Sequence, residues 1–130
     1  METLNQLVSR IADNFLPVAV RNNSFFVNEV PSTLTVDHNQ SWVSSVVANL
    51  FASVVNNAWD TCIRVSAKAY GYVIVMEIQE SGAVSSYAMA CDLQQVQALA
   101  EKIGGTLNIS LNNHSTTTIA FSFPNLPLAA

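Results

Sequence analysis

The sequence predicts an α+β fold, a two-layer α/β sandwich whose mixed sheet carries three helices on one face. Three observations lead there. Apolar residues recur at helical spacing in three stretches, near residues 3–20, 39–56 and 93–103. Between these stretches lie pairs of short segments that alternate apolar and polar, the pattern of half-buried strands. The 130 residues suffice for one core and not for two. Residues 1–124 are therefore expected to form a single domain, with 125–130 as a short disordered tail.

The first helix is marked by Leu4, Leu7, Val8, Ile11, Phe15 and Val18, with Pro17 placed to kink or end its last turn. Phe25 to Val30 reads as a strand, and Thr33 to Val36 as a second, short one after Pro31. The central helix organises the rest. Its stripe of Trp42, Val43, Val46, Val47, Leu50, Phe51, Val54 and Val55 is that of a buried face. Ahead of it, Asp37-His38-Asn39-Gln40 reads as a capping box. Asn56-Asn57 suits its end, because Asn tolerates the left-handed conformation.

Ile63 to Ala69 and Tyr72 to Gln79 form a hairpin across Tyr70-Gly71, and Ser81 to Ala90 is a loop of small residues. A second capping box, Asp92-Leu93-Gln94-Gln95, opens the last helix, with Cys91 and Val96 as its hydrophobic staple. That helix bears Leu93, Val96, Leu99, Ala100 and Ile103 and stops at Gly104-Gly105. Leu107, Ile109 and Leu111, then Ile119, Phe121 and Phe123, alternate as the final strands before Pro124.

Composition removes several functions. Only 11% of the residues are charged, well below the usual quarter. The five basic residues form no cluster, which argues against nucleic acid as a partner. No apolar run is long enough to span a membrane. A surface so weakly charged, at net −4, calls for a partner or a larger assembly. Cys62 and Cys91 sit inside predicted elements with no signal peptide ahead, and read as reduced thiols of a cytoplasmic protein. His38 and His114 lack neighbours arranged as a metal site or triad, and read as surface residues. Trp42 and Trp59 flank the central helix as core or rim aromatics. Asn49, Ser53 and Asn57 are four apart, so they stack on one helix face. They are either a ligand-facing column or solvent-facing and cap residues.

Four strings, taken in order, are informative together. Val46-Val47-Ala48-Asn49-Leu50 resembles the start of an Asn box, VLxNLLxNAxKYT, and Ile78-Gln79-Glu80-Ser81-Gly82 a first glycine box, VxDNGxG. Ile103-Gly104-Gly105-Thr106-Leu107 is similar to HGGTI, and the stretch from Thr117 to Pro124 to the closing strand TTFTFTLP. All four belong to the ATP-binding domain of sensor histidine kinases, in the superfamily shared with gyrase, Hsp90 and MutL. The resemblance covers nearly the whole chain and implies the histidine-kinase-type ATPase sandwich.

It also places an ATP cleft at Asn49, Ser53, Asn57, Glu80, Gly82 and Asp92, with altered chemistry. The family's two box asparagines stand four apart and the second ligates Mg²⁺; here Ser53 replaces one of them in either alignment. The alignment of Asn49 with the first is preferred over that of Asn57 with the second. No general base stands at the first position. Glu80 matches the Asp that receives the adenine amino group. Gly82 is kept, while Val84 replaces the second glycine and only Ala83 to Met89 remain of the lid.

The family's second glycine box offers bare amides at a helix N-terminus to phosphate. Counting back from Gly104-Gly105 puts Ala90-Cys91-Asp92-Leu93 there, with Asp92 capping those amides itself. The resemblance thus implies a degenerate domain with no catalytic residue, no metal and no cofactor. Its expected role is a regulatory or protein-binding module in bacterial two-component-type signalling. The expected partner is a response regulator or a histidine phosphotransfer domain, with a homodimer also open. The alternative is an ATP-binding catalytic domain of a sensor histidine kinase or related protein kinase, with ATP held through Glu80 and Mg²⁺ through Asn49 or Asn57. A missing lid would bare Asn49, Ser53 and Asn57 beside Val84, Tyr87 and Met89, a patch suited to protein contact. Otherwise the short loop fills the cleft.

Overall fold

The computed structural model describes residues 2–37, 39–81, 83–84, 86–111 and 116–126, and at 83–84, 86–91 and 111 the backbone alone. Helix α1 (Leu4–Asn14) starts at a capping box that the sequence reading passed over. Thr3 Oγ1 accepts from the Gln6 amide at 3.1 Å, and Gln6 Oε1 accepts from the Thr3 amide at 2.9 Å. The single helix expected over 3–20 is in fact two. The chain breaks at Phe15 and restarts as α2 (Leu16–Arg21), because Pro17 has no N–H to give and is tolerated only in a first turn.

Strand β1 (Phe25–Asn28) follows. The strand expected over Thr33–Val36 does not form. Thr35 makes an isolated bridge to Thr3, and the Leu34 carbonyl accepts from the Leu4 amide at 2.9 Å, so the start of α1 takes up this segment. Helix α3 (Gln40–Asn57) is the predicted central helix, with Val43, Val46, Val47, Leu50, Phe51, Val54 and Val55 all buried. Its cap differs from expectation. Asn39 stands at the N-cap with φ 57°, and its side chain makes no capping hydrogen bond. Asp37 instead accepts from Thr35 Oγ1 at 3.0 Å; His38 lies outside the described residues, as does His114. At the other end Ala58 passes straight into extended backbone, so Asn56 and Asn57 form no left-handed cap.

The remaining elements are β2 (Ala58–Trp59), β3 (Cys62–Tyr70), β4 (Val73–Glu80), β5 (Ala83–Val84), α4 (Ser86–Lys102), β6 (Thr106–Leu111) and β7 (Thr117–Pro124). Five strands make a sheet in the order β1-β3-β4-β7-β6, parallel between β1 and β3 and antiparallel elsewhere. Register aligns the apolar residues in rows across it: Val65, Ile78, Ile119 and Ile109, then Ala67, Met76, Phe121 and Leu107. The helices cover that face. The opposite parity, Arg64, Ser66 and Lys68 with Glu77, Gln79, Thr118 and Ser122, is exposed or half-buried, as suits an antiparallel sheet with one wet face. This is the predicted α+β two-layer arrangement.

Helix α4 begins at Ser86 rather than near Asp92, so the second half of the expected loop of small residues, Ser86 to Ala90, is helix. Tyr87-Ala88-Met89-Ala90 supplies good helix formers and nothing that stops one. No N-terminus exists at Asp92 for a staple to close, and the Cys91 side chain lies outside the described residues. The helix ends as predicted. Gly104, at φ +76°, donates to the Glu101 carbonyl at 3.0 Å and Gly105 donates to the Ala100 carbonyl at 2.9 Å, the two bonds of a Schellman motif. Beyond β7 the chain is fastened at Asn125, where a loose tail was expected. Its amide donates to the Tyr72 carbonyl at 2.7 Å, Oδ1 accepts from the Asp37 amide at 2.8 Å, and Nδ2 donates to the Thr35 carbonyl at 2.8 Å. Residues 127–130 lie outside the described residues. Among the described residues no helix is long and apolar enough to cross a membrane.

Candidate functional site

The column of α3 is divided by its neighbours. Asn49 is exposed and donates to the Ser45 carbonyl at 2.7 Å, within its own helix. Ser53 and Asn57 are buried, because α4 lies against that end of α3. Asn57 Nδ2 donates to the Ser53 carbonyl at 2.7 Å and to Asp92 Oδ2 at 3.0 Å. Both amide hydrogens are thereby used. Asp92, the seventh residue of α4, is exposed and caps nothing; the capping role expected of it fails because the helix starts two turns earlier. Its carboxylate ties α4 to α3 instead.

Between the two helices a recess of about 150 Å³ is lined by Asn49, Ala52, Ser53, Asn56, Asp92, Gln95 and Val96. Small-molecule sites begin at about 300 Å³. The expected exposure of α3 at Ser53 and Asn57 is thus overturned, and the patch loses those two members. Val84, Tyr87 and Met89, its other members, have side chains outside the described residues, and Gly82 lies outside them altogether.

Glu80 ends β4 on the helix-covered face and is only 3% exposed. Directly across the ladder stands Thr117, 5% exposed, whose hydroxyl has no hydrogen-bond partner among the described residues. Sequence reading missed Thr117. The signal was present, since Thr117 falls on the inward parity of β7 in line with Ile119, Phe121 and Phe123. A polar residue at an inward position beside a buried acid is the pattern to look for.

Roomier space lies elsewhere, on the wet face of the sheet. There a recess of about 370 Å³ is lined by Val27, Cys62, Arg64, Gln79, Glu80, Ser81 and Thr116. Cys62 is a half-buried free thiol at its edge. Among the described residues no three His, Cys, Asp or Glu lie together as a metal site. Trp42 and Trp59, read as core or rim aromatics, are 44% and 43% exposed and belong to the rim. Lys102 Nζ stands 5.7 Å from the Trp42 ring centroid.

No family model matches this sequence, and no curated protein matches it either. Solved structures do match. The histidine kinase AdeS of Acinetobacter baumannii superposes with a TM-score of 0.80 over 95% of this chain, at 13% identity. The nucleotide-free catalytic domain of histidine kinase ThkA gives 0.75 over 95% of this chain and 92% of its own, at 14% identity. The fold is that of a histidine kinase catalytic domain. The same kinase, ThkA, in complex with the response regulator protein TrrA gives 0.76 over 98% of this chain, at 16% identity. This chain spans 65% of the AdeS structure and 42% of the ThkA chain in that complex. At such identities the histidine-kinase likeness is one of fold. It confirms the architecture drawn from the four strings, with the Gly104-Gly105 stop and the closing strand β7 where those strings put them.

Proposed function

We propose that this chain is a degenerate histidine-kinase-like module that has lost ATP binding and serves as a regulatory or protein-binding domain in bacterial two-component-type signalling. One observation carries the reading. Where the resemblance calls for a second metal-binding asparagine, the chain has Ser53, buried under α4, and Asn57 one turn on spends both amide hydrogens on Ser53 and Asp92. A recess of about 150 Å³ lined by the Asp92 carboxylate fits neither the bulk nor the charge of a magnesium triphosphate. The partner in this reading is cytoplasmic, a response regulator or a histidine phosphotransfer domain. The complex of ThkA with TrrA supports that kind of partner.

The second reading is a nucleotide-binding catalytic domain with altered contacts. The pair of Glu80 and Thr117 favours it, a buried acceptor and a buried hydroxyl side by side where the resemblance puts the adenine. Titration calorimetry with ATP and Mg²⁺ separates the two. The first reading expects no heat of binding up to millimolar ATP. A micromolar Kd that Glu80→Ala weakens at least tenfold overturns it.

A further inference from the structure

Strand β1 forms one edge of the sheet, and its sequence does little to protect that edge. Phe25-Phe26-Val27-Asn28 holds three strong strand formers and neither a charge nor a proline to blunt them. Which backbone groups it leaves open follows from its pairing. The Phe25 amide donates to the Thr61 carbonyl at 3.1 Å and the Glu29 amide to the Val65 carbonyl at 2.7 Å, so the odd-numbered residues turn their backbone to β3. The amides and carbonyls of Phe26 and Asn28 point outward, and among the described residues no hydrogen bond takes them up. Four main-chain groups thus stand open in strand geometry.

Beside this edge, α1 and the start of α2 leave a groove of about 210 Å³, lined among others by Val8, Ala12, Asp13, Leu16, Phe25 and Phe26. It is small for a small-molecule site. A chain bonded to Phe26 and Asn28, however, sends every second side chain to the helix side of the sheet, where the groove lies. Two large apolar side chains flank it, Leu16 at 51% exposure and Phe25 at 57%. One charge lines it: the exposed Asp13 carboxylate, which has no partner among the described residues. Its position along the groove is fixed by Asn28, whose Nδ2 donates to the Asn5 carbonyl at 2.9 Å and to Ser9 Oγ at 2.8 Å. The first half of α1 therefore lies by the end of β1, and Asp13 and Leu16 lie toward its start.

A second copy of the chain fits this groove poorly. The helix-side residues of its own β1 are already engaged, Phe26 stacked on Phe51 and Asn28 bonded to α1, so neither is free to enter. We propose that the β1 edge takes an extended segment of a partner protein as an added antiparallel strand. The segment is apolar at the positions opposite Asn28 and Phe26 and basic at the next groove-facing position, where it meets Asp13. The surface gives the protein-binding role proposed above a location. It lies at the opposite edge of the sheet from β6, on which α4 packs, and stands whether or not a nucleotide binds.

The test titrates the isotope-labelled full chain with acetyl-Thr-Val-Thr-Leu-Thr-Lys-amide, read by amide NMR shifts and hydrogen exchange. The Phe26 and Asn28 amides should shift and exchange about fivefold more slowly, while the Val27 amide, already turned to β3, changes little. The same peptide with Glu in place of Lys should bind about fivefold more weakly, and Asp13→Lys should reverse that order. Asp13 is exposed near the end of α1, where a lysine is well tolerated. Changes at Phe26 and Asn28 that grow with protein concentration alone would show a second copy at the edge and overturn the proposal. Equal changes along β6, the other edge strand, indifference to the peptide's charge, or no response of these two amides at millimolar peptide overturn it as well.

Discussion

Adding one methyl group at Gly105 should cost more than adding one at Gly104, although Gly104 holds the unusual backbone. A Cβ on Gly105 would stand 2.6 Å from the Ser122 carbonyl oxygen, 3.1 Å from the Ala100 carbonyl oxygen and 3.2 Å from Phe121 Cε1. Carbon and carbonyl oxygen tolerate about 3.3 Å, so the first contact is too close by about 0.7 Å. Neither oxygen can swing aside. Ser122 is fixed by its pairing with Thr106, and Ala100 accepts the Schellman bond from Gly105 itself. Relief means pushing the end of α4 off the β6–β7 ladder, an overpacking cost of about 3 kcal/mol.

At Gly104 the nearest atom is Pro124 Cγ at 3.6 Å, ordinary contact, and only the φ of +76° resists a side chain. That costs about 1 kcal/mol. For a chain of this size each kcal/mol lowers Tm by about 3–5 °C. Calorimetric melting should therefore place Gly105→Ala about 10 °C below the parent protein and Gly104→Ala about 4 °C below it. Equal shifts, or a larger one at Gly104, would refute the steric reasoning.

Asn125→Ala removes two side-chain bonds that tie Thr35 and Asp37 to the end of β7 and should cost about 2 kcal/mol in urea unfolding. Phe51→Ala, at a fully buried site where the ring stacks on Phe26 with centroids 4.9 Å apart, should cost about 4 kcal/mol in the same assay. The Arg10 hydrogen bond holds the Glu2 carboxyl below its ordinary value, so the pair stabilises the fold above about pH 4.5 and loses that contribution as pH falls further. Both side chains are partly exposed, which keeps the effect under about 1 kcal/mol. Glu2→Gln should therefore lower Tm by a few degrees at pH 7, and by progressively less as the pH is taken below 4.5.

The apolar alternation of β3, β4, β6 and β7, the stripe of α3 and the Gly104-Gly105 stop were all legible in the amino-acid sequence. Each records burial or backbone freedom over a few adjacent residues, and such patterns survive without knowledge of the partner. The site was legible only in outline. Ser53 and Glu80 could be placed along the chain, but that α4 lies over Ser53 depends on where α4 begins, and Asp92 imitated a helix start well enough to misplace it. Its real bond, to Asn57, spans 35 residues of sequence. The bond from the Asp37 amide to Asn125 spans 88. The segment around Thr35 had strand propensity, and the tertiary structure gave it no strand to pair with beyond one bridge to Thr3. Local sequence dictates which face of an element is apolar; which polar groups meet once those faces are buried is decided by the packing, because an amide or carboxylate bonds whatever the fold brings within about 3 Å.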